Sequence, residues 1–115
     1  MVFNNDFKFD LKVGQEKENL LAKIIQSKKL EVKYDRAAQR TGNVFVEFES
    51  RGKPSGIATT EAEYFCFCVV DSFYILPTKK LKKLCRDYLG TKNERAGGDN
   101  NTSKGILLPI KKLLP

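Results

Sequence analysis

The chain has 115 residues, with 21 Lys and Arg against 14 Asp and Glu, a net charge of +7 and no histidine. That length holds one domain, residues 1–115, with a single core, and 41% hydrophobic with 30% charged residues is the balance of an ordinary globular chain. The missing histidine removes His-based acid/base catalysis, Ser-His and Cys-His nucleophile pairs and nearly all catalytic zinc sites, while the positive surplus favours polyanionic partners.

No apolar run reaches the roughly 20 residues that a membrane-spanning helix needs, and the opening MVFNNDFKFD is too polar and acidic for a signal peptide. A cytoplasmic, intracellular chain with no membrane partner is therefore expected. Cys66, Cys68 and Cys85 agree with a reducing compartment: they are odd in number and lack metal-site spacing. Cys66 and Cys68 alternate onto one face of an apolar run, as buried free thiols would.

Residues 1–13 read as an irregular or extended lead-in in which Phe3, Phe7, Phe9 and Leu11 can alternate inward. After Gly14 the spacing predicts a helix over about 15–27, with Leu21, Ala22 and Ile25 on one stripe. Glu18 falls on that stripe. It serves either the helix dipole, as a first-turn acid, or a site.

Two alternating runs follow, LEVKYD and NVFVEFES. Strand side chains point to opposite faces in turn, so Leu30, Val32 and Tyr34 share one face and Glu31, Lys33 and Asp35 the other. In the second run Val44, Val46 and Phe48 look toward a core, and Phe45, Glu47 and Glu49 point away. If the two runs are neighbours in one sheet, Asp35, Glu47, Glu49 and Lys33 gather on one surface. Carboxylates held that close are costly unless a cation sits among them, which points to a divalent metal.

Magnesium takes oxygen ligands and keeps several waters, while one or two carboxylates and a substrate phosphate supply the rest. Asp35 and Glu47 stand as ligands, and Glu49 points the same way. Lys33 or Lys53 would orient a water or hold a phosphate, and Arg36, Arg40 and Arg51 surround the site with positive charge for a flanking backbone.

The loop SRGKPSG, with Arg51, Lys53 and Ser55, reads either as a solvated connector or as a DNA-contacting loop; it lacks P-loop spacing. Thr60 and Glu63 fit the capping box of a brief helix. YFCFCVV is the strand of a sheet covered on both faces, and FYILP is a further strand. KKLKKLCRDYL is a helix with Leu81, Leu84, Cys85 and Tyr88 inward; its lysines 79, 80, 82 and 83 read first as a solvated face and second as a nucleic-acid contact. TKNERAGGDNNTSK, residues 91–104, is expected to be a long mobile loop, and ILLPIKKLLP a strand or docked tail. The mixture implies an α/β (α+β) domain built on one mixed sheet with helices against its faces.

Across residues 14–70 this arrangement resembles the PD-(D/E)XK nucleases, which include many restriction endonucleases and the archaeal Holliday-junction resolvases. Glu18 matches the acidic residue of the leading helix, Asp35 the acidic strand end, and Glu47-Phe48-Glu49 the acid-x-Lys strand. Tyr34 stands where the nominal Pro would be, and Glu49 replaces the usual Lys. A second alignment takes Glu31-Val32-Lys33 as the acid-x-Lys element; it demands an earlier acidic strand, which only Asp6 or Asp10 could provide. The resemblance implies a restriction-endonuclease-like central sheet and a DNA endonuclease that uses Mg2+, with Mn2+ as a substitute. Glu18, Asp35 and Glu47 would be the metal ligands, and Glu49 and Lys33 would complete the catalytic set. Arg36, Arg40, Arg51, Lys53 and Ser55 would touch the nucleic acid. A domain this small covers little of a duplex, and a homodimer would let it cut both strands or engage a branched junction. The alternative is a non-catalytic basic nucleic-acid-binding module in which the acidic strand face is merely solvated.

Overall fold

A computed structural model describes residues 29–114, together with the helical residues Glu16, Asn19, Leu20, Ala22, Lys23, Ile24 and Gln26. The lead-in over 1–13, and Glu18 with its proposed site role, lie outside the described residues. Ile24 is buried and Leu20 exposed.

The first strand, β1 (Leu30–Tyr34), ends where Asp35 turns the chain into a single helical turn, α1 (Ala38–Thr41). Gly42, at φ 75°, closes that turn and donates its N–H to the Ala38 carbonyl. Here a left-handed residue lets the chain reverse immediately. Strand β2 (Asn43–Ser50) follows and returns through Arg51 and Gly52 to the two-residue β3 (Lys53–Pro54). Both turn residues have positive φ, 52° and 78°, the backbone that matches the twist of a tight hairpin. After a 3-10 turn at Gly56–Ala58 come β4 (Tyr64–Val69), β5 (Ser72–Pro77) and the helix α2 (Thr78–Asp87). The chain ends through β6 (Glu94–Gly97), a turn at Asp99–Asn101, β7 (Ser103–Pro109) and a 3-10 turn at Ile110–Leu113.

The fold is α+β, as expected, but its strands form two sheets instead of one. One is mixed and three-stranded, ordered β1-β4-β5, with β1 parallel to β4. The other is antiparallel and four-stranded, ordered β3-β2-β7-β6. The two alternating runs are therefore not sheet neighbours: β1 pairs with β4, while β2 pairs with β7. Nor do residues 60–63 form a helix; the Thr60 hydroxyl accepts the Ala62 N–H and turns the chain into β4. The segment 91–104, expected as a loop, contains β6 and the start of β7. Gly97, in this segment, and Gly105, just beyond it, leave room for the Phe45 ring against the backbones of β6 and β7, so a side chain from another strand covers a stretch that has no large apolar residue of its own.

The core lies between the sheets and α2. Val44, Val46, Ile106 and Leu108 come from the four-stranded sheet, Phe65, Phe67, Val69 and Leu76 from the three-stranded one, and Leu81 and Cys85 from α2. Leu81, Ile106 and Leu108 are fully buried, and each such side chain stabilises the fold by about 1.5–3 kcal/mol. Leu84 and Tyr88 pack against this core, so the inward face of α2 is the one its periodicity predicts.

On β1 the pattern inverts. Val32 and Tyr34 are 59% and 67% exposed, and they share a face with their partners Cys66 and Cys68 on β4. The opposite face, with Glu31 and Lys33, turns toward Phe65 and Phe67.

Candidate functional site

That inversion creates the site. Glu31 and Lys33 from β1 and Glu47 from β2 line one cavity of about 210 Å3, walled by Phe45, Phe65 and Phe67 and closed by Gly56 and Ile57. Three ionisable groups thus converge from two different sheets onto an aromatic lining, where incomplete solvation makes charge expensive unless it is paired.

Each is paired. Glu31 Oε2 lies 3.0 Å from Lys33 Nζ, its neighbour two residues along the same face. Glu31 Oε1 accepts a 3.0 Å hydrogen bond from the Thr60 hydroxyl. Glu47 Oε2 accepts a 2.9 Å hydrogen bond from the Ser55 hydroxyl. Ser55 is held by its own N–H, which donates to the Phe48 carbonyl, and by Gly56, at φ 54°. A Cβ on Gly56 would collide with the Glu47 carbonyl, so only glycine lets the loop close over the carboxylate that Ser55 addresses.

Asp35 has a different position from the one its motif implied. Its Oδ1 accepts the N–H groups of Ala37 and Ala38 at 3.0 and 3.1 Å, and its Oδ2 accepts the Phe45 N–H at 2.9 Å. Asp35 does not line the cavity. It ties the end of β1 to β2 two residues before Glu47, fixing the height at which the two strands face one another. Glu49 also lies away from the cavity. A register shift between Glu47 and Glu49 interrupts the alternation, and Glu49 pairs with Lys104, its partner across β7, at 3.6 Å.

Of the basic residues, Arg36, Arg40, Arg51 and Lys53 are exposed, and among the described residues none forms an ion pair. Arg51 and Lys53 occupy the β2–β3 hairpin, whose far end carries Ser55. The hairpin therefore carries positive charge next to the cavity that Glu47 lines.

In the sequence Glu31 ranks second as the acid position, and Thr60 reads as a helix cap, not as the hydrogen-bond partner of Glu31. The signal is present in LEVKY, where acid and Lys share a face; it ranks second because that alignment demands an earlier acidic strand, which only Asp6 or Asp10 could provide. Among the described residues no three His, Cys, Asp or Glu side chains gather closely enough to hold a metal ion by themselves. Glu31 and Glu47 are the carboxylates that share the cavity. No helix of the described residues is long and apolar enough to cross a membrane. Compared with protein-family models, curated proteins and solved structures, the chain matches none.

Proposed function

We propose that the chain is a metal-dependent endonuclease of the PD-(D/E)XK kind, hydrolysing phosphodiester bonds in DNA. The observation that carries the reading is the convergence of Glu31, Lys33 and Glu47 on one cavity beside a basic hairpin. In this reading Glu31-Val32-Lys33 is the acid-x-Lys element, and Glu47 is the carboxylate opposite it. Glu31 and Glu47 would hold Mg2+, which when bound polarises the scissile phosphate and supplies hydroxide. Lys33, 3.0 Å from Glu31, would place positive charge beside a bound phosphate and help offset negative charge building there. Ser55 keeps Glu47 aimed. Asp35 acts through the backbone, as a positioning residue.

The test is cleavage of supercoiled, linear and branched DNA by the purified chain with Mg2+ or Mn2+, against a chelator control. Glu47→Gln and Glu31→Gln are each expected to lower the rate by roughly a hundredfold or more while leaving DNA binding intact. An intact substrate in every metal condition overturns the reading. The exposed Arg36, Arg40, Arg51 and Lys53, unpaired among the described residues, favour a second reading as a non-catalytic nucleic-acid-binding module. It requires binding without cleavage, indifferent to either Glu replacement. Pairing of two copies, which would present two cavities to the two strands of a duplex, belongs to the first reading; sedimentation with and without DNA decides it.

A further inference from the structure

We propose that the N-terminus of α2 is a binding site for a phosphate of the nucleic-acid backbone, remote from the carboxylate cavity. This rests on the reading that the chain acts on nucleic acid. A helix start leaves backbone N–H groups unpaired, and ordinary sequences answer with a Ser, Thr, Asp or Asn cap and acidic residues in the first turn. Helix α2, ten residues long, has neither. It follows Pro77, no side chain caps it, and its first turn holds no acid. Lys79 and Lys80 stand there instead, adding positive charge to the positive end of the helix dipole.

A second observation comes from Thr78. It is 6% exposed, and its Oγ1 is buried with no hydrogen-bond partner. A hydroxyl so placed destabilises the fold until something accepts or donates to it. Thr78 lines a cleft of about 480 Å3 together with Lys79 and Lys82. Its own N–H is already taken by the Glu63 carbonyl, at 2.8 Å, which fixes the start of the helix against the turn before β4. The Glu63 side chain also lines the cleft, but Lys29 lies 3.7 Å from it and opposes its charge. Lys79 and Lys82 have no carboxylate partner among the described residues.

The ligand that answers all three features is a tetrahedral oxyanion. It offers several acceptor oxygens to donors arriving from different directions: helix N–H groups, a hydroxyl and two ammonium groups. A carboxylate, planar and with two oxygens, would satisfy fewer of them. The net charge of +7 and the flanking Lys80 and Lys83 select a phosphate embedded in a polyanion, which would also anchor the strand away from the scissile bond.

Two measurements test this. Inorganic phosphate titrated into the 15N-labelled chain, against sodium chloride at equal ionic strength, is expected to shift the amides of Thr78, Lys79 and Lys80 saturably. Thr78→Val, which preserves shape, should weaken that binding about fivefold. Duplex DNA binding, measured without divalent metal, should weaken about fivefold in Thr78→Val and tenfold or more in Lys79→Glu/Lys82→Glu. Amides that respond to phosphate no more than to chloride overturn the proposal, and so does unchanged DNA affinity in Thr78→Val. If the wild-type chain binds DNA with these effects yet never cleaves it, the nuclease reading fails and the phosphate site stands.

Discussion

Gly56 shows how one residue sets the chemistry of another. Its φ of 54° and its contact with the Glu47 carbonyl leave no room for a side chain. Gly56→Ala is expected to cost about 3 kcal/mol, from left-handed strain plus local overpacking, read as a lower urea midpoint. The buried thiols of the core give a pH signature. Burial pushes the Cys85 thiol from 9.0 up to about 11, and burial with the neighbouring Cys68 does the same to Cys66. For an acid whose folded pKa is raised, the unfolded chain gives up its proton first. The stability associated with the neutral thiols is therefore complete below about pH 9 and is lost as pH rises toward 11. Unfolding midpoints should fall over that window, and less steeply in Cys85→Ala.

Among the elements, the two hairpins differ in how well their turns suit them. Arg51-Gly52 has glycine at one of its two positive-φ positions, whereas the β4–β5 turn places Val70 at φ 53°, where a β-branched side chain is strained. Val70 is 56% exposed, so its replacement loses little burial. Val70→Gly is expected to raise stability by about 1 kcal/mol, measured by thermal unfolding. Strand β1 carries a different tension. Its apolar residues Val32 and Tyr34 face outward and its ion pair faces an aromatic wall, the reverse of a strand selected only for folding. Making the inward face apolar by Glu31→Val with Lys33→Val should leave the chain folded, because an ion pair this exposed gives little net stability. It should abolish the activity assigned to the cavity, measured as DNA cleavage alongside circular dichroism.

Across the whole molecule, the Asp35 carboxylate helps tie the two sheets together beside the cavity. Asp35, at the end of β1, holds the Phe45 N–H of β2 and two N–H groups of its own turn. Asp35→Ala leaves the partly buried Phe45 N–H without its acceptor, while the Ala37 N–H is exposed and the Ala38 N–H keeps the Asp35 carbonyl; the expected cost is about 1–3 kcal/mol. It should also separate Glu31 from Glu47. A direct ligand would lose activity without losing stability; a positioning residue loses both, and an unfolding curve beside a cleavage assay distinguishes them. The positive surplus also acts at this scale. If roughly four phosphates are engaged, DNA affinity should fall about a hundredfold between 50 and 200 mM salt.

Local patterning alone carried much of the fold. The apolar run Tyr64–Val69, the hairpin to β5, the stripe of Leu81, Leu84, Cys85 and Tyr88 on α2 and the core face of β2 all follow from period-2 and period-3.6 spacing, because each is decided by which residues must leave water. Which strands pair was not legible, since β1 and β2 are adjacent in the chain but find partners at Tyr64–Val69 and Ser103–Pro109. Alternation states that two faces differ; it does not say which one meets the core when both can be accommodated. For β1 that choice was made by its parallel pairing with β4, whose Phe65 and Phe67 draw the Glu31 face inward. The candidate residues were thus visible as types in the sequence, while their assembly into Glu31, Lys33 and Glu47 belongs to tertiary structure, because only long-range pairing can bring strands from two sheets to one cavity.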